Sequence, residues 1–262
     1  MNDKIKLLNG EDWLVTDLLH EMRKDEFYYG FLGQNALSSS SLKKLLESPR
    51  AYQASLRQSD SSQALRDGRL IHLSILEPER LSELTIIEGT KAKKEFKDAV
   101  AEKGEEYVYT RSEFNSAQWV AEAIHQNNEA SFLLDGCNFE APGIGELHGL
   151  PFRAKADALA DSGNTIIDLK TTSSPISEFK WSAKKYNYAL QAALYLQIFQ
   201  ADTFIFLVIN KTTKDIGIFE CSQSFLDAGA VDILKAVSVY KEFFNKDNTE
   251  ELIKNNVIRG IL

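Results

Sequence analysis

Apolar and polar positions alternate most clearly over residues 143–172, GIGELHGLPFRAKADALADSGNTIIDLKTT. The alternation predicts strands over 144–148, 152–160 and 165–170. They are separated by Gly149-Leu150-Pro151 and Asp161-Ser162-Gly163-Asn164, both rich in turn-forming residues. An antiparallel meander is the simplest arrangement. Side chains alternate faces along a strand, so Phe152, Ala154, Ala156 and Ala158 form a small apolar face and Arg153, Lys155 and Asp157 the opposite one. In the third strand Asp168 and Lys170 share a face, away from Ile167 and Leu169.

Helical spacing predominates elsewhere. Helices are predicted over 13–22 and from Ser38–Ser41 to Ser48, where a serine caps and Leu42, Leu45 and Leu46 recur. Pro49 starts a short helix through Tyr52 and Leu56, and 55–62 reads as a polar linker. A strong helix over 63–77 aligns Ala64, Gly68 and His72 on one face, with Leu65, Leu73 and Leu76 beside them. Strands over 84–88 and 107–109 flank a charged helix at 91–103, and another helix spans 112–127. After a loop at 171–175, one broken helix or two consecutive ones cover 176–199, with Gln191 and Tyr195 sharing a face near Tyr188. TFIFLVI (203–209) is a strand buried on both faces, 216–220 pairs with it, and a last helix spans 225–244. The order predicts an α/β fold around one mixed central sheet flanked by helices. Residues 1–36 form a helical N-terminal extension and 37–262 the main domain.

Composition narrows the classes. The chain has 44% hydrophobic and 26% charged residues, an ordinary globular balance, without an apolar run of about 20 residues. Two cysteines are too few for a disulfide framework, a four-cysteine zinc site or a cysteine-ligated iron–sulfur cluster. With a start unlike a signal peptide, the expected location is cytoplasmic. A net charge of −8 argues against a protein that coats nucleic acid non-specifically, while leaving room for a local basic groove.

The chemistry gathers in the meander. Asp157 on one strand and Asp168-x-Lys170 on the next can hold a divalent cation beside an ammonium, a pairing suited to phosphoryl chemistry. Asp168-Leu169-Lys170 alone reads more readily as a solvated sheet face. His72 reads as a core histidine or as a ligand, and Gln191 and Tyr195 as core cross-links or as the lining of a polar cleft.

Four stretches in this order tip the balance: LSSSSLKKLLESPRAY (37–52), DGRLIHLSILEPE (67–79), the meander with FRAKADAL and IIDLKTT, and YNYALQAALYL (186–196). Together they resemble the PD-(D/E)XK nuclease superfamily, specifically the phage and prophage RecE-like (exonuclease VIII) exonucleases, over about 37–244. The resemblance implies a restriction-endonuclease-like fold and a Mg²⁺-dependent DNA exonuclease, with Mn²⁺ able to substitute. It assigns His72, Asp157, Asp168 and the Leu169 carbonyl to the metal. Lys170 orients the attacking water, and Gln191 and Tyr195 order the site. Ala156-Asp157 stands where the family often has Pro-Asp. Arg153, Lys155, Ser173 and Ser174 are then expected to contact DNA phosphates. The resemblance further implies attack on the ends of linear double-stranded DNA, 5′ to 3′, a single-strand annealing protein as partner, and a ring-like homo-oligomer. Two other readings stay open: a DNA-binding or assembly module with a decayed site, and a RecB-like nuclease acting on single strands with a helicase.

Overall fold

The computed structural model describes residues 4–57, 62–245 and 248–257. Residues 58–61 of the polar linker expected over 55–62, and Ile258 at the apolar end of the tail, lie outside the described residues. The chain opens with an antiparallel ribbon of β1 (Lys4–Lys6) and β2 (Asp12–Leu14), strands of three residues that are too short to show an alternation. Then come α1 (Val15–Glu21), a π-helical turn (Glu26–Phe31) and α2 (Leu32–Asn35). Leu18, Met22, Tyr28 and Leu32 bury against Ile144 of the main sheet, so this segment is pinned to the body. Trp13, Phe27 and Phe31 cluster beside it.

Serines begin the next helices. Ser38 accepts from the Ser41 N–H at the head of α3 (Ser39–Glu47), and Ser48 from the Ala51 N–H at the head of α4 (Pro49–Ser55). Ser62 likewise caps α5 (Gln63–Leu76). β3 (Thr85–Ile87), α6 (Lys94–Lys103) and β4 (Val108–Thr110) follow, and the two short strands pair in parallel as a separate ribbon. Thr110 and Glu113 form a reciprocal capping box that opens α7 (Arg111–Gln126), ahead of α8 (Asn128–Leu134).

The central sheet is built from β5 (Cys137–Leu147), β6 (Leu150–Ala160) and β7 (Thr165–Thr172). After α9 (Phe179–Lys185) and α10 (Tyr188–Phe199) come β8 (Thr203–Asn210) and β9 (Ile216–Glu220). The strands lie in sequence order; β7 and β8 pair in parallel, their crossover being the α9–α10 pair, and the other neighbours are antiparallel. Asn187, in the left-handed conformation at φ 48°, makes α9 and α10 two helices rather than one. α11 (Gln223–Phe243) and α12 (Thr249–Asn255) close the chain.

Both sheet faces are covered. On one side Ala154, Ala156, Phe204, Phe206 and Val208 pack with Leu190 and Leu194 of α10 and with Ile233 and Ala236 of α11. On the other, Ile167, Leu169, Leu207 and Ile209 pack with Leu70 and Ile71 of α5 and with Val120 and Ile124 of α7. β8 is therefore buried on both faces, as its continuous apolar run predicts. α11 approaches α10 closely because Gly229 has no side chain; a Cβ there would run into the Ala189 carbonyl. Two expectations need correction. Ala158 joins the α5–α7 side with Ile167, not the face of Ala154 and Ala156. Ala64 and Leu65 of α5 are exposed, and the buried stripe runs instead through Arg66, Leu70, Ile71, Ser74 and Ile75. Among the described residues no helix is long and apolar enough to cross a membrane.

One break in the sheet positions the site. The β6–β7 ladder consists of Ala158–Ile167 and Leu159–Ile166 and stops there. Farther along, the vacated edge of β6 is taken by Leu37, which donates to the Pro151 carbonyl at 2.9 Å and accepts from the Arg153 N–H at 2.8 Å. Asp157 and Asp168 flank the point where the two strands part.

Candidate active site

Asp168 lies at the centre, only 2% exposed. Its Oδ1 accepts from Gln191 Nε2 at 2.6 Å, so α10 reaches across to hold the β7 carboxylate. Its Oδ2 faces the Lys170 ammonium in an ion pair and has no further hydrogen-bond partner. Burial pushes the Asp168 carboxyl up, Lys170 opposes this, and the Asp157 charge adds to it. Burial works against the Lys170 ammonium, but the Asp168 and Asp157 carboxylates outweigh it and leave the pKa above the ordinary lysine value.

Asp157 stands beside this pair. Its Oδ2 accepts from the Leu169 N–H at 2.8 Å, taking the place of the β6 carbonyl that a continued ladder would supply. The N–H and C=O of one strand residue project to the same edge, so the Leu169 carbonyl also faces the gap. His72 Nδ1 on α5 is 3.6 Å from the same Asp157 oxygen. α5 comes this close beside Gly68, where an added Cβ would still stand 3.9 Å from Thr171 Oγ1 of β7. Tyr195, one turn beyond Gln191, is 8% exposed, and its hydroxyl meets the Lys155 backbone. Burial, with Tyr28, Asp168 and Asp157 adding to it, holds its phenol well above the usual range, so it stays protonated.

The structure thus brings His72, Asp157, Asp168, Leu169, Lys170, Gln191 and Tyr195 together around the gap. It does not do so for two of the expected phosphate contacts. Arg153 is 8% exposed, with its guanidinium 4.4 Å over the Tyr28 ring. Lys155 is bound to Asp25 Oδ1 at 2.9 Å and lies 3.7 Å from Glu140. The N-terminal segment folds over both cations and supplies their partners, which the alternation along β6 gives no means of foreseeing. Ser173 and Ser174 are exposed on the loop after β7, where the Ser174 carbonyl accepts from Asn210 Nδ2 at 3.0 Å.

Lys43 of α3 adds a second cation. Its ammonium is 5.2 Å from the centre of the Tyr188 ring and that of Lys170 is 5.0 Å from the same ring. Burial and the Lys170 charge pull the Lys43 pKa down to about 8, and Asp168 opposes them. Among the described residues Lys43 has no carboxylate in ion-pair contact. One sequence signal points to it: Lys43 follows the buried Ser39 by four positions, and so lies on the inward stripe of α3.

The donors suit a hard divalent cation: two carboxylates, a strand carbonyl and an imidazole, with a buried Asp168 oxygen that has the Lys170 ammonium as its one ion-pair partner among the described residues. Among the described residues, no three His, Cys, Asp or Glu side chains form a closed cage. A carboxylate pair at parting strands, with a lysine two residues after the second carboxylate, is the arrangement of a PD-(D/E)XK nuclease fold. Residues 38–251 match the family described as a PDDEXK-like domain of unknown function, and the chain belongs to that family. Nucleases of this superfamily generally use divalent metals. A solved structure from Eubacterium rectale, titled "Putative exonuclease", shares the fold with a TM-score of 0.63 at 17% identity, over 91% of this chain and 95% of that one. A phage-related exonuclease from Haemophilus somnus 129PT aligns at 14% identity over 80% of this chain and 95% of its own, with a TM-score of 0.36. No curated protein matches the chain by sequence.

Proposed function

We propose that the protein is a divalent-metal-dependent exodeoxyribonuclease that hydrolyses phosphodiester bonds from the ends of linear double-stranded DNA, 5′ to 3′, with Mg²⁺ as its cation and Mn²⁺ able to replace it. One observation carries the proposal: Asp157, Asp168 and Lys170 meet where the β6–β7 ladder ends, with Gln191 fixing Asp168. Asp157, Asp168, the Leu169 carbonyl and His72 would hold the cation. When bound, it supplies an acidified water and offsets the charge that builds on the phosphate. Lys170 holds its proton and directs a water or a phosphate oxygen toward the gap. Gln191 keeps one Asp168 oxygen turned away from Lys170. Tyr195 braces the back of the site as a neutral phenol, and Lys43 meets a phosphate from the α3 side. The tails left behind would serve a single-strand annealing protein, and a homo-oligomer around the duplex would add processivity.

The test is digestion of linear and closed-circular duplex DNA with Mg²⁺, with Mn²⁺ and with chelator, using the native chain and Asp168→Ala. The expected result is loss of the linear form alone, dependent on the cation and on Asp168. Cleavage of neither form with either cation would overturn the proposal. A second reading is a DNA-binding module whose site has decayed, since among the described residues no three His, Cys, Asp or Glu side chains are grouped to hold a metal ion. Titration calorimetry with Mn²⁺ decides, since a decayed site takes up the metal no better than Asp168→Ala does.

A further inference from the structure

Beyond the carboxylates, α9 presents a surface that the chemistry above does not use. Phe179 and Ala183 anchor the helix in the core, and the opposite face exposes Lys180, Trp181, Lys184 and Lys185. Trp181 is 63% exposed and Tyr186, just past the helix end, 51%. Exposing two large rings, one on this short helix and one just past its end, costs solvation unless something covers them. Their neighbours are cations: Lys180 lies 5.2 Å over Trp181, and Lys185 5.2 Å over Tyr186. Among the described residues none of the three lysines is ion-paired. Over 176–187 Glu178 is the single acidic residue, in a chain whose net charge is −8.

The rings lead to the site. Tyr186 and Tyr188 are 5.9 Å apart between centroids, and the centre of the Tyr188 ring is 5.0 Å from the Lys170 ammonium and 5.2 Å from that of Lys43. The exposed loop of Ser173, Ser174 and Pro175 and a short 3₁₀ turn (Ile176–Glu178) join the end of β7, two residues past Lys170, to this helix.

We propose that Trp181 and Tyr186, with Lys180, Lys184 and Lys185, form a stacking platform for the single-stranded segment of a DNA substrate, continuous through Tyr188 with the site at Lys170. Aromatic faces alternating with unpaired cations match unstacked bases on a phosphate backbone. Inside a duplex the base faces are stacked on one another and closed to such rings, so the occupant is the strand once it has been peeled from its partner. The inference rests on the nuclease reading for what happens at Lys170, but binding to the platform needs no hydrolysis.

The test reads the anisotropy of a labelled oligothymidylate titrated with the full chain in chelator, where no cleavage occurs. Trp181→Ala/Tyr186→Ala is expected to weaken binding about tenfold per ring, and thermal melting checks that this exposed pair leaves the fold intact. Lys180→Gln/Lys184→Gln/Lys185→Gln is expected to lower the slope of log affinity against log salt by about 2. Unchanged affinity in the aromatic variant, in a chain that still digests DNA, overturns the platform and leaves the nuclease reading standing. If the rings instead hold a second copy of the chain, sedimentation shows a dimer that the aromatic variant loses while oligothymidylate affinity stays the same, which also overturns the platform.

Discussion

The Asp168–Lys170 pair makes a quantitative prediction about stability as well as activity. Asp168 is 2% exposed and the Lys170 side chain 18%. Removing one partner of such a pair strands a buried charge, at about 3–5 kcal/mol. Asp168→Asn keeps the volume and a side-chain carbonyl for Gln191, so its cost isolates the stranded ammonium at about 3 kcal/mol. Asp168→Leu/Lys170→Met removes both charges and is expected within about 1 kcal/mol of the native chain, or above it. The assay is urea unfolding in chelator. With a slope of about 2 kcal/mol per molar, Asp168→Asn lowers the midpoint by about 1.5 M and the double variant leaves it nearly in place. Both are inactive. Cation at a hundredfold its dissociation constant adds about 2.7 kcal/mol to the native chain and nothing to either variant. The reasoning fails if the costs of Asp168→Leu and Lys170→Met measured singly add up to that of the double, since an ion pair cannot be additive.

Lys43→Met is expected to raise KM for DNA about tenfold while leaving kcat and unfolding midpoint near native, because the proposed role of the residue is to meet a phosphate and, among the described residues, it has no carboxylate counter-ion; steady-state kinetics separate the two constants. Gly229→Ala forces a methyl against the Ala189 carbonyl and should cost about 1–3 kcal/mol in urea unfolding, whereas Gly30→Ala, with open space around its Cβ, should cost little. Glu113 bears on acid stability. Burial alone would raise its pKa, but Lys91, the Thr110 backbone and hydroxyl, and Gln63 outweigh it and bring it down to about 2 from an ordinary 4.5. A depressed carboxyl binds fewer protons folded than unfolded, so its contribution is full above pH 4.5 and is lost as pH falls toward 2. Glu113→Gln should flatten that part of the stability profile and leave neutral-pH nuclease activity unchanged.

The sheet was legible because its signals are local. Period-two alternation marks β6, β7 and the end of β5 from Ile144, though not the earlier residues of β5 from Cys137, and the apolar run marks β8 as a strand covered on both faces. The grouping of the candidate site residues was legible for a related reason: Asp168 and Lys170 share a strand face, and Gln191 and Tyr195 a helix face. Partners set by long-range folding were not. Lys155 and Asp25 are 130 positions apart, so two residues read as a groove for DNA turn out to anchor the N-terminal segment. Lys43 looks like one of two solvated lysines until α3 is laid against α10. The β1–β2 ribbon escaped because three residues carry no periodicity.

The short β6–β7 ladder also bears on how the molecule is assembled. With two residue pairs joining them, the β5–β6 hairpin and the β7–β8–β9 unit are nearly separate sheets sharing a hinge. Asp157 belongs to one and Asp168 to the other. Amide protons at Ala158 and Ile167 should therefore exchange sooner than those at the centre of β7–β8, marking the last part of the sheet to close in folding and the first to open. Whatever is gripped by both carboxylates is gripped across that hinge.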